Sequence, residues 1–187
     1  CKAPPWSAHS PHRAQTTRLA ILNLAPHTHL ASTHYSIEFL LSPSKSTMSI
    51  WIKPISLPLI NQLNTHTAAA HLGIEITEVG DDFLRGRVPV DERTRQPFGI
   101  LHGGVSVVLA ETLGSIGAYY ACPEGQHGVG LDINANHLRA CASGWVTATA
   151  RPVHLGRTTQ VWQIDMVNEA GQATCVSRLT MAILTAR

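Results

Sequence analysis

Hydrophobic and polar positions along the chain follow two periods, which predict both helices and strands. The segment PLINQLNTHTAAAHLG predicts one or two short helical segments that end near Gly73. The runs IEITEV and FLRGRVPV then alternate apolar and polar residues around a GDD turn, as paired strands do. Four further alternating runs follow a long apolar segment: HGVGLDINANHL, GWVTATARPVHL, TTQVWQIDMVN and QATCVSRLTMAIL. The pattern therefore predicts six strands.

Between the second and third predicted strands, the segment that begins with Gly103 and Gly104 predicts a long helix. It is apolar nearly all round, and a helix of this kind must be buried. The layer large enough to bury it is the sheet made by the six strands. We therefore expect an α+β fold in which a six-stranded antiparallel sheet wraps one long central helix.

Glu111 is the only residue among Asp, Glu, Lys and Arg between Ile100 and Ala121. Most helical glutamates are solvated at an exposed edge, because a carboxylate is almost never buried without a partner. Here no lysine or arginine lies one helical turn away, and we expect the apolar setting to raise the pKa of Glu111 towards values useful for proton transfer. Ser115 follows one turn later on the same face. The functional interpretation is favoured over the solvated one.

The glycine pair at the start of the helix is a second candidate element. Gly103 and Gly104 expose backbone N–H groups that lack intrahelical partners, and such groups can hold an anion or a developing oxyanion. The glycines could equally serve close packing alone. Gln96 and His102 precede the pair and Glu111 follows it, so donors and a carboxylate come from one short segment, as acyl transfer requires.

Composition and charge exclude several classes of protein. The chain has 187 residues, 44% of them hydrophobic and 14% charged, which suits a domain with a core. No apolar run approaches the ~20 residues that cross a bilayer, so we expect no membrane span. Beyond residue 47 the chain carries ten basic and eleven acidic residues, and nothing there predicts nucleic-acid binding.

Cysteines and histidines do not predict a disulfide framework or a metal site. The four cysteines are widely spaced without a CxxC pair, which fits a reducing compartment, and we expect a cytoplasmic protein. Five of the eleven histidines lie before residue 48, and the others show no compact ligand spacing. We expect neither a metal nor an organic cofactor.

Residues 1–47 differ from the rest of the chain, being rich in Ser, Thr, Pro and His and nearly free of acidic residues. Three interpretations compete: a transit-peptide-like leader, a weak signal peptide, or translated upstream sequence that the working protein lacks. We favour the last, because Met48 opens a plausible natural start. The expected organisation is a disordered leader over 1–47 and one domain over 48–187.

The stretch VDERTRQPFGILHGGVSVVLAETLGSIGA, with AHLGIEITEVGDD before it and PVHLGRTTQVWQI after it, resembles the hotdog-fold acyl-CoA thioesterases of the phenylacetate-degradation protein type. Within that family it is most similar to enzymes that hydrolyse 1,4-dihydroxy-2-naphthoyl-CoA and to the proofreading thioesterases of enterobactin synthesis. The resemblance runs from about residue 48 to the C-terminus and is carried above all by HGG followed by AE.

The resemblance implies roles for individual residues. Glu111 matches the family's catalytic carboxylate, acting as general base or as nucleophile, and Ser115 matches a helper beside it. Gly103 matches the donor that polarises the thioester carbonyl, and Gln96 and His102 match residues that orient the thioester. Segments that line the channel for CoA and the acyl group match Gly130, His137, Leu138, Arg139, Ala140, His154, Leu155, Gly156, Arg157, Thr158 and Thr159.

The resemblance also implies a homodimer, commonly paired into a homotetramer, in which Glu111 of one subunit faces Gln96, His102 and Gly103 of the other. The expected reaction is hydrolysis of an aromatic acyl-CoA, first of all 1,4-dihydroxy-2-naphthoyl-CoA in menaquinone or phylloquinone biosynthesis. One alternative is a proofreading thioesterase for hydroxybenzoyl or other acyl thioesters. Another is a hotdog dehydratase, which Glu111 in LAETLGS does not fit. The last is a non-catalytic acyl-CoA-binding module.

Overall fold

The computed structural model describes residues 49–185, so the predicted leader over 1–47 lies outside the described residues. The chain forms nine elements in the order α1 (Leu57–Leu63), α2 (Ala68–His71), β1 (Glu75–Val79), β2 (Leu84–Pro89), α3 (Gly103–Tyr120), β3 (Gln126–His137), β4 (Trp145–Leu155), β5 (Thr159–Asn168) and β6 (Ala173–Thr185). The six predicted strands, the short helices before Gly73 and the long helix that begins at Gly103 are all confirmed.

The strands form one antiparallel sheet in the order β1-β2-β4-β5-β6-β3. β3 therefore lies at an edge and pairs with β6 along its length, from Gln126 opposite Thr185 to His137 opposite Cys175. A β-bulge interrupts this pairing between Gly130 and Asp132. The sheet and its one long helix confirm the α+β prediction.

Helix α3 packs on the sheet through side chains that are completely buried, among them Leu109 and Leu113. Two glycines allow the contact to be close. A Cβ at Gly114 would lie 2.5 Å from Leu179 Cδ2, and one at Gly117 would lie 2.6 Å from the Trp162 ring. Both distances are shorter than real carbon contacts, so these positions require glycine for packing.

The first short helix, α1, begins with a polar N-cap residue and is fixed to β1. Ser56 caps α1 by accepting the Leu59 N–H at 3.4 Å, and Pro58 stands in the first turn, where no amide hydrogen is needed. The Asn61 amide donates to the Ile76 carbonyl at 3.0 Å, which fixes α1 on β1. Residues of α1 and of the C-terminal half of α3 line one cavity.

The expectation that α3 is buried all round holds for one face only. Gly104, Glu111 and Tyr119 are exposed, and Val107 and Ser115 between them are half-buried. These residues recur every three or four positions, so they form one stripe, here called the open face. A single six-stranded sheet covers only one side of a helix, and the opposite side is left uncovered. Within residues 49–185 no helix combines the length and hydrophobicity that a membrane span requires.

Candidate active site

The first turn of α3 leaves one backbone donor free. His102 caps the helix: its Nδ1 accepts the Gly104 N–H at 2.9 Å, and its carbonyl accepts the Val105 N–H at 2.9 Å. Because Nδ1 is an acceptor, the neutral imidazole carries its hydrogen on Nε2. The Gly103 N–H has no partner among the described residues, so it is available to an oxygen of a ligand.

Gln96 is held by a tight loop just before this helix. Its N–H donates to the Ile100 carbonyl at 2.9 Å, and its own carbonyl accepts the Gly99 N–H at 2.9 Å. Its side-chain Oε1 accepts the Phe98 N–H at 2.6 Å. Since the amide oxygen is engaged, the amide nitrogen is the group left to donate to a ligand.

A cavity of about 300 Å³ lies at the start of α3 and is here called the N-terminal cavity. It brings together many of the residues singled out from the sequence, and the hydrogen bond from the Leu138 N–H to the Thr174 carbonyl at 2.8 Å holds one wall. The lining consists of Gln96, Ile100, Leu101, Gly103, Ser106, His137, Leu138, Arg139, Ala140, Cys141 and Thr174.

His137 lies directly against Gly103. A Cβ at Gly103 would be 2.8 Å from His137 Nε2, so any larger residue would push the ring away. Glycine therefore allows a histidine side chain to lie beside the free N–H of the helix. The N-terminal cavity thus combines a backbone donor, an imidazole and the Gln96 amide.

Glu111 lies on the open face and is exposed in the single chain. A Cβ at Gly130 would be 3.3 Å from Glu111 Oε1, so the carboxylate rests beside the bulge of β3. None of the ion pairs among the described residues includes Glu111. The expectation of an apolar enclosure is wrong for one chain, because Glu111 lies on the exposed side of α3, beside the edge strand β3.

Ser115 lies one turn beyond Glu111 and borders a second cavity, of about 270 Å³. This C-terminal cavity lies between α1 and the last two turns of α3. Its surface is mostly apolar, and it is lined by Ile60, Leu63, Asn64, Ser115, Ile116, Tyr119 and Tyr120.

The segment from His154 to Thr159 lies elsewhere, at the turn between β4 and β5. Leu155, Gly156 and Arg157 line a third cavity of about 300 Å³ together with Cys122 and other residues. They do not line the cavity that holds Gln96 and Gly103. The structure of one chain therefore leaves the predicted channel in separate parts. In residues 49–185 no three His, Cys, Asp or Glu side chains converge as a metal site.

The distance along α3 separates the donor from the carboxylate. Glu111 follows Gly103 by eight residues, which at the helical rise is about 12 Å. Reacting groups must approach to about 3–3.5 Å, so one thioester cannot contact both groups of the same chain. The two halves of the site lie in one chain without meeting.

Several lining residues were missed by the sequence analysis, among them Thr174, Asn64 and Tyr120. Thr174 borders the N-terminal cavity, and its hydroxyl is the one buried side-chain polar atom without a partner in the described part of the chain. Asn64 and Tyr120 border the C-terminal cavity. No local pattern marks them, because they join the cavities only when β6 and α1 pack beside α3.

Comparison with known proteins identifies relatives of high similarity. Residues 98–175 match the model of the Thioesterase superfamily. The chain is 50% identical to the 1,4-dihydroxy-2-naphthoyl-CoA hydrolase of Escherichia coli, with 72% of this chain and 99% of that protein covered. It is 47% identical to the proofreading thioesterase EntH of Cronobacter turicensis, with 72% and 98% covered. The crystal structure of a thioesterase from Haemophilus influenzae superimposes with a TM-score of 0.72 at 54% identity, covering 73% of this chain and 95% of that chain.

Proposed function

Since the chain belongs to the thioesterase superfamily and hydrolyses acyl-CoA thioesters, we propose that its substrate carries an aromatic acyl group, with 1,4-dihydroxy-2-naphthoyl-CoA as the first candidate. The observation that carries this proposal is the C-terminal cavity, whose mostly apolar lining includes Ser115, one turn from Glu111. Apolar walls with a few polar groups are typical of sites for small aromatic ligands. The name of the Escherichia coli relative supports the choice of substrate.

The active site is shared between two chains. In one chain Glu111 and the Gly103 N–H are about 12 Å apart along α3, which is too far for one thioester. A second copy that covers the open face and the β3 edge supplies the missing half, so that Glu111 of one chain faces Gln96, His102 and Gly103 of the other. The exposed apolar side chains of β3, Val129 and Leu131, give such a copy a surface to bury.

The chemistry needs only these groups. The Gly103 N–H binds the thioester carbonyl oxygen and stabilises the negative charge that develops on it. Glu111 either accepts a proton from a water molecule that attacks the carbonyl carbon, or attacks that carbon itself. In both routes the carbon–sulfur bond then breaks, and the CoA thiolate leaves and takes up a proton. In the second route this leaves an anhydride between Glu111 and the acyl group, which water hydrolyses to the free acid and the restored carboxylate. A thiol has a pKa of about 8.5, so its expulsion needs little help from an acid.

The remaining predicted residues contact coenzyme A in this proposal. His137, Leu138, Arg139 and Ala140 rim the N-terminal cavity and contact the arm of the thioester. The turn at Arg157 is distant from that cavity in one chain, and it reaches the nucleotide end of CoA from a neighbouring subunit of a homodimer or homotetramer. An arginine suits this role because its guanidinium pairs with phosphate.

The 47% identity to a proofreading thioesterase supports a second candidate substrate class, hydroxybenzoyl thioesters and related acyl thioesters. The reaction and the site are the same, and only the occupant of the C-terminal cavity differs. We place the activity in the cytoplasm, where the three buried free thiols Cys122, Cys141 and Cys175 stay reduced. With the first candidate substrate, the enzyme serves menaquinone or phylloquinone biosynthesis.

Thiol release from a panel of aromatic and aliphatic acyl-CoA thioesters tests the proposal. We expect turnover of aromatic substrates to exceed that of aliphatic ones of similar size, with or without a chelator. Turnover of aliphatic thioesters alone would contradict the proposed substrate.

The shared site is tested by mixing Glu111→Gln chains with Gln96→Ala chains. Each mixed dimer has one site with both defects and one site with neither, so activity should return towards half of the wild-type value. Either variant alone should stay inactive. No recovery in dimers verified as mixed would show that the site is not shared.

A further inference from the structure

The two tyrosines of the C-terminal cavity lie at the end of α3 that is remote from Glu111. Along α3, Ser115 is about 6 Å and Tyr119 about 12 Å beyond Glu111. Apart from Ser115, the polar residues that line the cavity are Asn64 and the two tyrosines. The remaining walls are Ile60, Leu63 and Ile116. An acyl group that extends from Glu111 along α3 therefore passes Ser115 before it reaches the tyrosines.

Asn64 is rigidly held at the end of α1. Its N–H donates to the Ile60 carbonyl at 3.0 Å. The Thr67 hydroxyl lies 2.6 Å from the Asn64 carbonyl and 3.1 Å from its Oδ1, and the same hydroxyl accepts the Ala70 N–H at 3.3 Å. One side of the Asn64 amide is thus engaged with the cap of α2, and its Nδ2 has no partner among the described residues. The residue offers a fixed hydrogen-bonding group at low conformational cost.

Tyr120 is the second group at this end. It is 5% exposed, and burial raises the pKa of its phenol, with a smaller contribution from Tyr119. The phenol is therefore neutral at physiological pH and can both donate and accept a hydrogen bond. Its hydroxyl has no partner within residues 49–185, while its carbonyl accepts the Ile52 N–H at 2.9 Å and the Lys53 N–H at 3.1 Å.

Tyr119 is fixed beside it. The two rings meet edge to face, with centroids 5.0 Å apart, and the buried Lys53 ammonium lies 3.7 Å from the Tyr119 centroid. The Lys53 ammonium also donates to the Gln126 carbonyl at 2.6 Å. These contacts hold the Tyr119 ring against Tyr120 and Lys53.

We propose that Asn64 and Tyr120 select aromatic acyl groups that carry a hydroxyl meta or para to the thioester. The inference rests on the proposed function, because it assigns the C-terminal cavity to the acyl group. A ring hydroxyl at either position reaches the polar end and satisfies it, whereas an unsubstituted ring leaves both groups desolvated and unpaired. Sites built to hydrogen-bond a substrate hydroxyl discriminate in this way, while apolar walls alone do not.

The test compares kcat/KM for benzoyl-CoA and its 2-, 3- and 4-hydroxy derivatives. We expect the wild-type protein to favour the 3- or 4-hydroxy thioester over benzoyl-CoA by about 10-fold or more, and the 2-hydroxy thioester to gain nothing. Asn64→Leu and Tyr120→Phe should each reduce this preference about 10-fold. The reduction should come from a lower kcat/KM for the hydroxylated thioester, while kcat/KM for benzoyl-CoA stays unchanged. Gln62→Leu, on the exposed side of α1, is the matched control and should leave the preference unchanged.

The outcomes separate the two proposals. If the wild-type protein hydrolyses benzoyl-CoA and its hydroxy derivatives equally, or if Asn64→Leu slows all of them alike, the selectivity inference is wrong and the proposed function stands. If none of the aromatic thioesters is hydrolysed but aliphatic ones are, both proposals fail. Thermal unfolding checks that each variant remains folded. If Tyr120→Phe does not fold, Asn64→Leu provides the test.

Discussion

The two faces of α3 differ in burial and in the chemistry of their side chains. The face towards the sheet carries Leu109 and Leu113, completely buried, and glycines that admit Leu179 and Trp162 to within contact distance. The open face carries Glu111 and Ser115 and has no partner layer within residues 49–185. One face therefore packs the helix on the sheet, and the other carries the candidate catalytic carboxylate. Substitutions on the two faces should therefore have different readouts.

The largest expected effect is on the open face. Glu111→Gln keeps the size of the side chain and removes its basicity, so turnover should fall by about 10²- to 10⁴-fold, and further if Glu111 is the nucleophile. The unfolding midpoint should change far less than turnover, because glutamine keeps the size of the side chain and its capacity for hydrogen bonds. Thiol release and thermal unfolding measure the two quantities. Glu124→Gln, in the exposed loop after α3, is the control, and near-normal activity of Glu111→Gln would contradict the mechanism.

The next effect is on the buried face. Leu109 is completely buried, so Leu109→Ala should lower the free energy of unfolding by about 2–5 kcal/mol through lost burial and the cavity that remains. Val107→Ala, half-buried on the open face, should cost clearly less. Chemical denaturation measures both. Equal losses at the two positions would show that the faces do not differ in packing.

A smaller loss in the free energy of unfolding is expected when a methyl group is added between α3 and the sheet. Gly117→Ala places a methyl group 2.6 Å from the Trp162 ring, and overpacking of this kind costs about 1–3 kcal/mol. This exceeds the gain of about 0.5–1 kcal/mol that alanine brings to a helix. The double variant Gly117→Ala/Trp162→Phe should be less destabilised than the sum of its parts. If the losses of the two single variants simply add in the double variant, the methyl group at position 117 does not clash with the Trp162 ring.

The smallest effect concerns the cap of α3, where structure and chemistry share one residue. His102→Ala should lose the bond to the Gly104 N–H and about 0.5–2 kcal/mol of stability. His102→Asn preserves a capping oxygen but removes the Nε2 donor, so stability should be retained while activity falls. Unfolding and thiol release distinguish the roles. An active His102→Asn enzyme would restrict His102 to the cap.

Much of the fold could be predicted because its signals are local. The period of two in the strands and the long apolar helix at Gly103 follow from residues next to each other in the chain, and the structure confirms them. The candidate site was predictable in its parts for the same reason: Gln96, His102, Gly103 and Glu111 lie within sixteen residues of one another. A resemblance carried by that short stretch indicated the chemistry before any distance was known.

The sequence by itself determined the elements, the family and the lone carboxylate on an apolar helix. Only the tertiary structure decided that Glu111 lies on the exposed side of α3 beside β3, that His137 touches Gly103, and that Asn64 and Tyr120 line one cavity. These relations join residues far apart in the chain. They depend on how strands and helices pack, since burial and side-chain contacts are set by the angle at which an element meets its neighbours, and local periodicity does not specify that angle.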